Sequence, residues 1–89
     1  MIRRRLLIRN RLGLHARAAA RFVHTASAFR SKITVSRSEK TMEGKSILGL
    51  LLLAAAQGAE VEIMADGDDE GAAIEALSAL VDGGFGEEG

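Results

Sequence analysis

Four short stretches of this chain alternate in polarity, and each has only one face fit for burial. Ile2–Arg9 sets Ile2, Arg4, Leu6 and Ile8 against Arg3, Arg5, Leu7 and Arg9. Lys32–Arg37 turns Ile33 and Val35 inward. Lys40–Glu43 follows the Ser38-Glu39 turn as a short companion, and Gly44 ends it. Glu60–Asp66 sets Val61, Ile63 and Ala65 against Glu60, Glu62 and Met64. A period of two is the mark of a half-buried strand. A sheet apolar on one face needs a second layer to cover it.

The intervening segments supply that layer. Ala16–Phe29 has helical spacing, with Ala19, Phe22, Val23 and Ala26 on one side. Arg17, Arg21 and His24 share another side at i, i+4 and i+7. Ser46 is placed to cap a second helix through its hydroxyl, over an apolar run Ile47–Ala56 that Gly58 ends. On that run Ile47, Leu50, Leu53 and Ala54 cluster inward, so Leu48 and Leu52 point away and Leu51 lies at the flank. After the Asp66-Gly67 turn, Asp68, Asp69 and Glu70 give a third helix an anionic first turn. Its stripe is Ala73, Ile74, Leu77, Leu80 and Val81, and Gly83-Gly84 stops it. The order is βαββαβα, an α+β fold with an antiparallel sheet covered by three helices. Residues 1–84 are read as one domain and Phe85–Gly89 as a flexible tail.

Charge predicts one pairing. All 12 Lys and Arg lie between Arg3 and Lys45, whereas only Glu39 and Glu43 of the 12 acids precede Gln57. Opposite charges on neighbouring strands contribute roughly 0.2–1 kcal/mol per pair. Arg3 and Arg5 would therefore lie beside Glu60 and Glu62, making the first and fourth strands neighbours. The surplus that stays basic is Arg17, Arg21, Arg30 and Lys45.

Composition removes several functions. There is no cysteine, which excludes disulfides and thiolate catalysis, and two histidines without cysteine argue against a structural zinc site. No metal and no cofactor are expected. The apolar residues after Met1-Ile2-Arg3-Arg4-Arg5 are too few for a secretory signal, and no apolar run reaches spanning length. The expectation is a cytoplasmic monomer away from membranes.

Gly13-Leu14-His15-Ala16-Arg17 lies between the first strand and the first helix. The unpaired N–H groups and positive dipole at a helix start attract anions. Neutral imidazole has a free lone pair, so His15 can attack phosphorus, and Nδ1 is the ring nitrogen that faces the helix start. The backbone of Ala16 and Arg17 and the Arg17 guanidinium would then hold the phosphoryl oxygens. The site holds no carboxylate poised to activate water, so a phosphoryl group would be parked and passed on. The residues alone also allow His15 to be an ordinary helix cap, and His24 an ordinary surface histidine.

Gly13-Leu14-His15-Ala16-Arg17-Ala18-Ala19 resembles the active-site signature of the HPr family of histidine-containing phosphocarriers. Gly44-Lys45-Ser46-Ile47 resembles that family's second signature, and Gly58-Ala59-Glu60 and Asp66-Gly67-Asp68-Asp69-Glu70 fit its C-terminal half. Ala18 and Leu12 resemble the proteobacterial branch, which includes the nitrogen-related NPr. The resemblance implies an open-faced β-sandwich with strand order 1-4-2-3. It implies that His15 takes phosphate from enzyme I, or its nitrogen-branch paralogue, and gives it to an enzyme IIA domain. Arg17 would stabilise the phosphate, and Ser46 would be the regulatory site of an HPr kinase/phosphorylase. Such a protein is a carrier within a phosphotransferase system rather than an independent enzyme.

Leu48, Leu51 and Leu52 cannot all face a core, and an exposed apolar patch marks a partner site. With Ile47, Arg21 and His24 they form the expected docking surface, suited to acidic partners. The competing reading is a small basic nucleic-acid-binding α/β domain. Against it, aromatic residues are only 3 %, without Tyr or Trp, which leaves almost nothing for bases to stack on. An enzyme proper is a poorer fit still, with two histidines and no length for a pocket.

Overall fold

The computed structural model describes residues 1–87. Strands β1 (Ile2–Leu7), β2 (Lys32–Arg37), β3 (Lys40–Glu43) and β4 (Glu60–Asp66) alternate with helices α1 (Ala16–Ala26), α2 (Ile47–Leu52) and α3 (Glu70–Asp82), and a 3-10 turn spans Gly84–Gly86. The sheet order is β1-β4-β2-β3 and every neighbouring pair is antiparallel. This is the open-faced α+β sandwich expected, in the expected order. Arg5 lies directly opposite Glu62, and its guanidinium reaches Glu60 at 3.8 Å and Glu62 at 4.0 Å. The acids of β4 thus offset the basic first strand. No helix among the described residues is long and apolar enough to cross a membrane.

The period-two pattern sets the core. Leu6, Ile33, Val35, Val61, Ile63 and Ala65 project from one sheet face onto Ala19, Phe22, Leu50, Leu53, Ile74 and Leu77. Arg4 shares that face but reaches the side of α3, where it meets Glu75 at 3.1 Å and Ser78 Oγ at 3.2 Å. Burying each large aliphatic side chain contributes about 1.5–3 kcal/mol.

Three elements stop earlier than their periodicity suggests. The first strand ends at Leu7, because Ile8 bonds instead to the loop before β4 (Ile8 N to Ala59 O, 2.9 Å; Gly58 N to Ile8 O, 2.8 Å). Helix α1 ends at Ala26 rather than Phe29. Ala28 N and Phe29 N bond to the carbonyls three residues back, and Arg30 N and Ser31 N donate to the Asp69 carboxylate at 2.8 and 3.0 Å. Helix α2 ends at Leu52 rather than Ala56, and Ala54 turns to a φ of 51°. Arg37 and Lys40 donate to the carbonyls of Leu53 and Leu52 at 3.1 and 3.4 Å, satisfying that end from the sheet. With the helix shorter, Ile47 and Ala54 are exposed while Leu50 and Leu53 stay buried.

The C-terminal segment departs furthest from expectation. Phe85, read as part of a loose tail, is only 1 % exposed and sits against α1 and α3. Gly84 and Gly86 take φ of 65° and 74°, and these turns bring the ring inward. An aromatic side chain flanked by glycines looks like tail in one dimension, yet its burial outweighs the ordering of a few residues. Glu88 and Gly89 of the expected tail lie outside the described residues.

Asp69 precedes α3 but caps nothing with its side chain. Its carboxylate instead accepts from Ser31 Oγ, Arg30 N and Ser31 N, and these bonds hold its pKa below the ordinary value. A depressed folded pKa gives stability that is complete above the unfolded pKa and is lost as pH falls through the folded one. Asp69→Asn should lower the melting temperature by several degrees at neutral pH and flatten the acid limb below about pH 4, as read by thermal melts across that range. A variant with the acid limb of the parent protein would assign that limb to other carboxylates.

Candidate phosphoryl-transfer site

The site is assembled by a turn that only glycine can make. Gly13 has φ +69°, and a Cβ there would lie 2.6 Å from Ala55 O and 2.9 Å from Ala56 Cα. That close approach lets Leu14 N donate to Ala55 O at 2.8 Å and buries the Leu14 side chain. His15 follows as the N-cap of α1, in extended conformation (φ −80°, ψ −179°), with Nδ1 accepting from Arg17 N at 3.3 Å. The imidazole thus occupies the position of a capping oxygen, one ring nitrogen aimed at the amide of the helix's second residue.

The other ring nitrogen has a partner that local reading did not anticipate. His15 Nε2 contacts Glu87 Oε2, from the far end of the chain, and Asn10 Nδ2 donates to Glu87 Oε1 at 2.9 Å. Asn10 is buried and also donates to Gly13 O at 2.7 Å, which ties the turn to the C-terminal segment. Arg21 Nη1 donates to Phe85 O. The Asn10 hydrogen bond, then those of His15 and the charge of Arg21, hold the Glu87 carboxyl below the usual range. An ionised carboxylate can only accept, so Nε2 carries the proton and Nδ1 keeps its lone pair. The absence of a nearby carboxylate, expected from the local sequence, is corrected here. The acid faces Nε2, across the ring from Nδ1.

Arg11, Leu12, His15, Arg17, Arg21 and Glu87 line an open depression of about 610 Å³. The His15 side chain is 28 % exposed, enough for an approaching group to reach it while its ring is held. A family model described as "PTS HPr component phosphorylation site" matches residues 2–82.

The chain belongs to the HPr family.

The phosphocarrier protein HPr of Neisseria meningitidis serogroup A is 47 % identical over 87 residues, covering 98 % of each chain. The phosphocarrier protein NPr of Shewanella violacea is 42 % identical over 86 residues, 97 % of this chain and 94 % of that one. The structure of HPr-C-His from Thermoanaerobacter tengcongensis superposes with a TM-score of 0.95 at 48 % identity, covering 99 % of both. A structure of an HPr dimer from that organism scores 0.79 at 49 % identity, over 92 % of this chain and 94 % of that one.

The second HPr-family signature lies at the start of α2. Ser46 Oγ accepts from Gly49 N at 3.0 Å, so the unmodified serine is a working N-cap. Helix α2 packs beside α1 and carries the exposed apolar surface: Leu48 is 68 % exposed, and Ile47, Leu51 and Leu52 are also open to solvent. Arg17 and His24 lie on the exposed face of α1 with no side-chain partner among the described residues, whereas Arg21, expected to serve a partner, is engaged with Phe85. Sequence reasoning missed Leu12, 65 % exposed at the rim of the depression, although a leucine between Arg11 and Gly13 in a turn was a signal. It also missed Asn10 and Glu87. No local signal links residues 72 positions apart.

Proposed function

We propose that this HPr-family chain is a phosphocarrier in which His15 Nδ1 accepts a phosphoryl group from a phosphorylated donor and surrenders it to an acceptor. What supports the reading is the unprotonated Nδ1, held by the amide of Arg17 in the first turn of α1. On attack, the lone pair of Nδ1 forms the N–P bond and releases the Arg17 N–H, which then serves a phosphoryl oxygen. Helix dipole and Arg17 guanidinium stabilise the dianion in the same place. The donor is enzyme I or its nitrogen-branch paralogue, and the acceptor is an enzyme IIA-type protein. On this reading the chain is a cytoplasmic monomer whose transfer step calls for no metal or cofactor.

The exposed apolar face of α2, with Arg17 and His24 beside it, is the docking surface. Mixed apolar and basic character favours quick association with acidic partners. Phosphate on Ser46 would bring nearly two negative charges beside Leu48, Leu51 and Leu52 and weaken that docking by repulsion. An HPr kinase/phosphorylase with ATP should label Ser46 alone.

The test uses phosphoenolpyruvate and an enzyme I. An acid-labile phosphoryl adduct should form on His15, and His15→Ala should abolish it. Arg17→Ala should slow its formation by about tenfold or more, given roughly 1.5–3 kcal/mol for a hydrogen bond to a charged group. Labelling that survives His15→Ala would place the acceptor elsewhere.

A further inference from the structure

We propose that Glu87 is a positioning residue that keeps the ring proton on His15 Nε2 through the whole transfer cycle, so that the group displaced from phosphorus is always neutral imidazole. This deepens, and rests on, the reading of His15 as phosphoryl acceptor.

The geometry is that of a built contact rather than a surface encounter. The Glu87 side chain is 14 % exposed. One of its oxygens meets His15 Nε2 and the other accepts from Asn10 at 2.9 Å. Phe85, two residues earlier, is buried, and its carbonyl is held by Arg21. Anchored on both sides, the carboxylate has little freedom to leave the ring. Its lowered pKa, caused first by Asn10 and then by His15, agrees with a fixed negative charge at neutral pH.

That charge has a specific use. In the accepting step the Nδ1 lone pair bonds to phosphorus as the donor–phosphorus bond breaks, and the breaking bond's electron pair stays on the donor. The ring then carries phosphorus on Nδ1 and a proton on Nε2, and is a cation. In the delivering step the acceptor nucleophile attacks phosphorus and the N–P electron pair returns to Nδ1. With the Nε2 proton in place, the leaving group is neutral imidazole. Were that proton lost in between, the pair would return to an imidazolate, a far poorer leaving group. The groups facing the ring pull in opposite senses. Arg11 from the turn and Arg17 and Arg21 from α1 disfavour a cationic ring, whereas the bound phosphoryl and Glu87 favour it. Glu87 is the one of these in contact with the nitrogen that titrates.

The experiment compares the full chain with Glu87→Gln, Glu87→Ala and Glu87→Asp. Nitrogen-15 NMR of the unphosphorylated proteins reads which ring nitrogen holds the proton. The parent should show the proton on Nε2, and Glu87→Ala should shift population to the Nδ1-protonated tautomer. After phosphorylation by enzyme I and phosphoenolpyruvate, proton and phosphorus NMR titrations read the Nε2 midpoint. Glu87→Gln should lower it by about one pH unit, as expected for losing an opposite charge in contact. Transfer to an enzyme IIA should then fall off at correspondingly lower pH, and Glu87→Asp should recover part of the shift. Glu87→Gln preserves size, and thermal melts of each variant confirm a folded domain. An unchanged midpoint in both Gln and Ala variants, with His15 still phosphorylated, overturns the role of Glu87 alone. Failure of the parent protein to accept phosphate on His15 overturns the carrier reading with it.

Discussion

Phe85→Ala is expected to destabilise the fold by about 3–5 kcal/mol, the usual range for emptying an aromatic site in a core. Domains of this size are stable by only ~5–15 kcal/mol, so one substitution in the last five residues would remove a large share. The side chain is among the largest fully buried ones, and the 3-10 turn that carries it packs against α1 and α3. The same change should reach the active site. Phe85 O is the acceptor for Arg21, and Glu87 lies two residues beyond. Losing the anchor should free Glu87 from His15 Nε2 and Asn10 Nδ2. Urea denaturation measures the first effect, and the nitrogen-15 shifts of His15 measure the second. A variant with the parent's denaturation midpoint would show that this segment is the loose tail its composition suggests.

Gly13→Ala should be nearly as damaging and more selective for function. A left-handed φ costs an L-residue roughly 1–2 kcal/mol, and forcing a methyl group into packed surroundings adds about 1–3 kcal/mol. The atoms that Cβ would strike, Ala55 O and Ala56 Cα, are backbone and cannot rotate aside. Relief requires the turn to move away from the 54–56 loop, which breaks the Leu14 N–Ala55 O bond. His15 is the next residue, and a displaced turn takes Nδ1 away from Arg17 N. A loss of about 2–5 kcal/mol on these terms should therefore accompany a drop in the initial rate of His15 phosphorylation, checked by denaturation and by PEP-dependent labelling. Normal labelling in a stably folded Gly13→Ala protein would show that the turn does not set the ring.

Much of this was legible in one dimension because it depends on local periodicity. Strands β2, β3 and β4 begin and end where alternation does, since the pleat turns successive side chains to opposite faces. Arg5 and Glu62 revealed the pairing of β1 with β4, because unlike charges on a solvent face favour neighbouring strands. His15 was readable as a helix cap from Gly13 before it and the alanine-rich helix after it. The element ends were harder. Nothing in Leu52-Leu53-Ala54-Ala55 tells a helix to stop, and the carbonyls there are satisfied by Arg37 and Lys40 from the sheet. Asp69 reads as a helix-start acid, but its three hydrogen bonds go to a loop 38 and 39 residues away.

By itself, the sequence determined the layers and the position of one imidazole at a helix mouth, both products of spacing along the chain, and through its charges the pairing of β1 with β4. Only the tertiary structure decided what holds the other ring nitrogen of that imidazole. Tautomer choice depends on what faces the ring's far side, and that group, Glu87, arrives through folding from the other end of the chain. Phe85 brings it there for a reason no local pattern records: the ring's burial is worth having only once α1 and α3 have made the space.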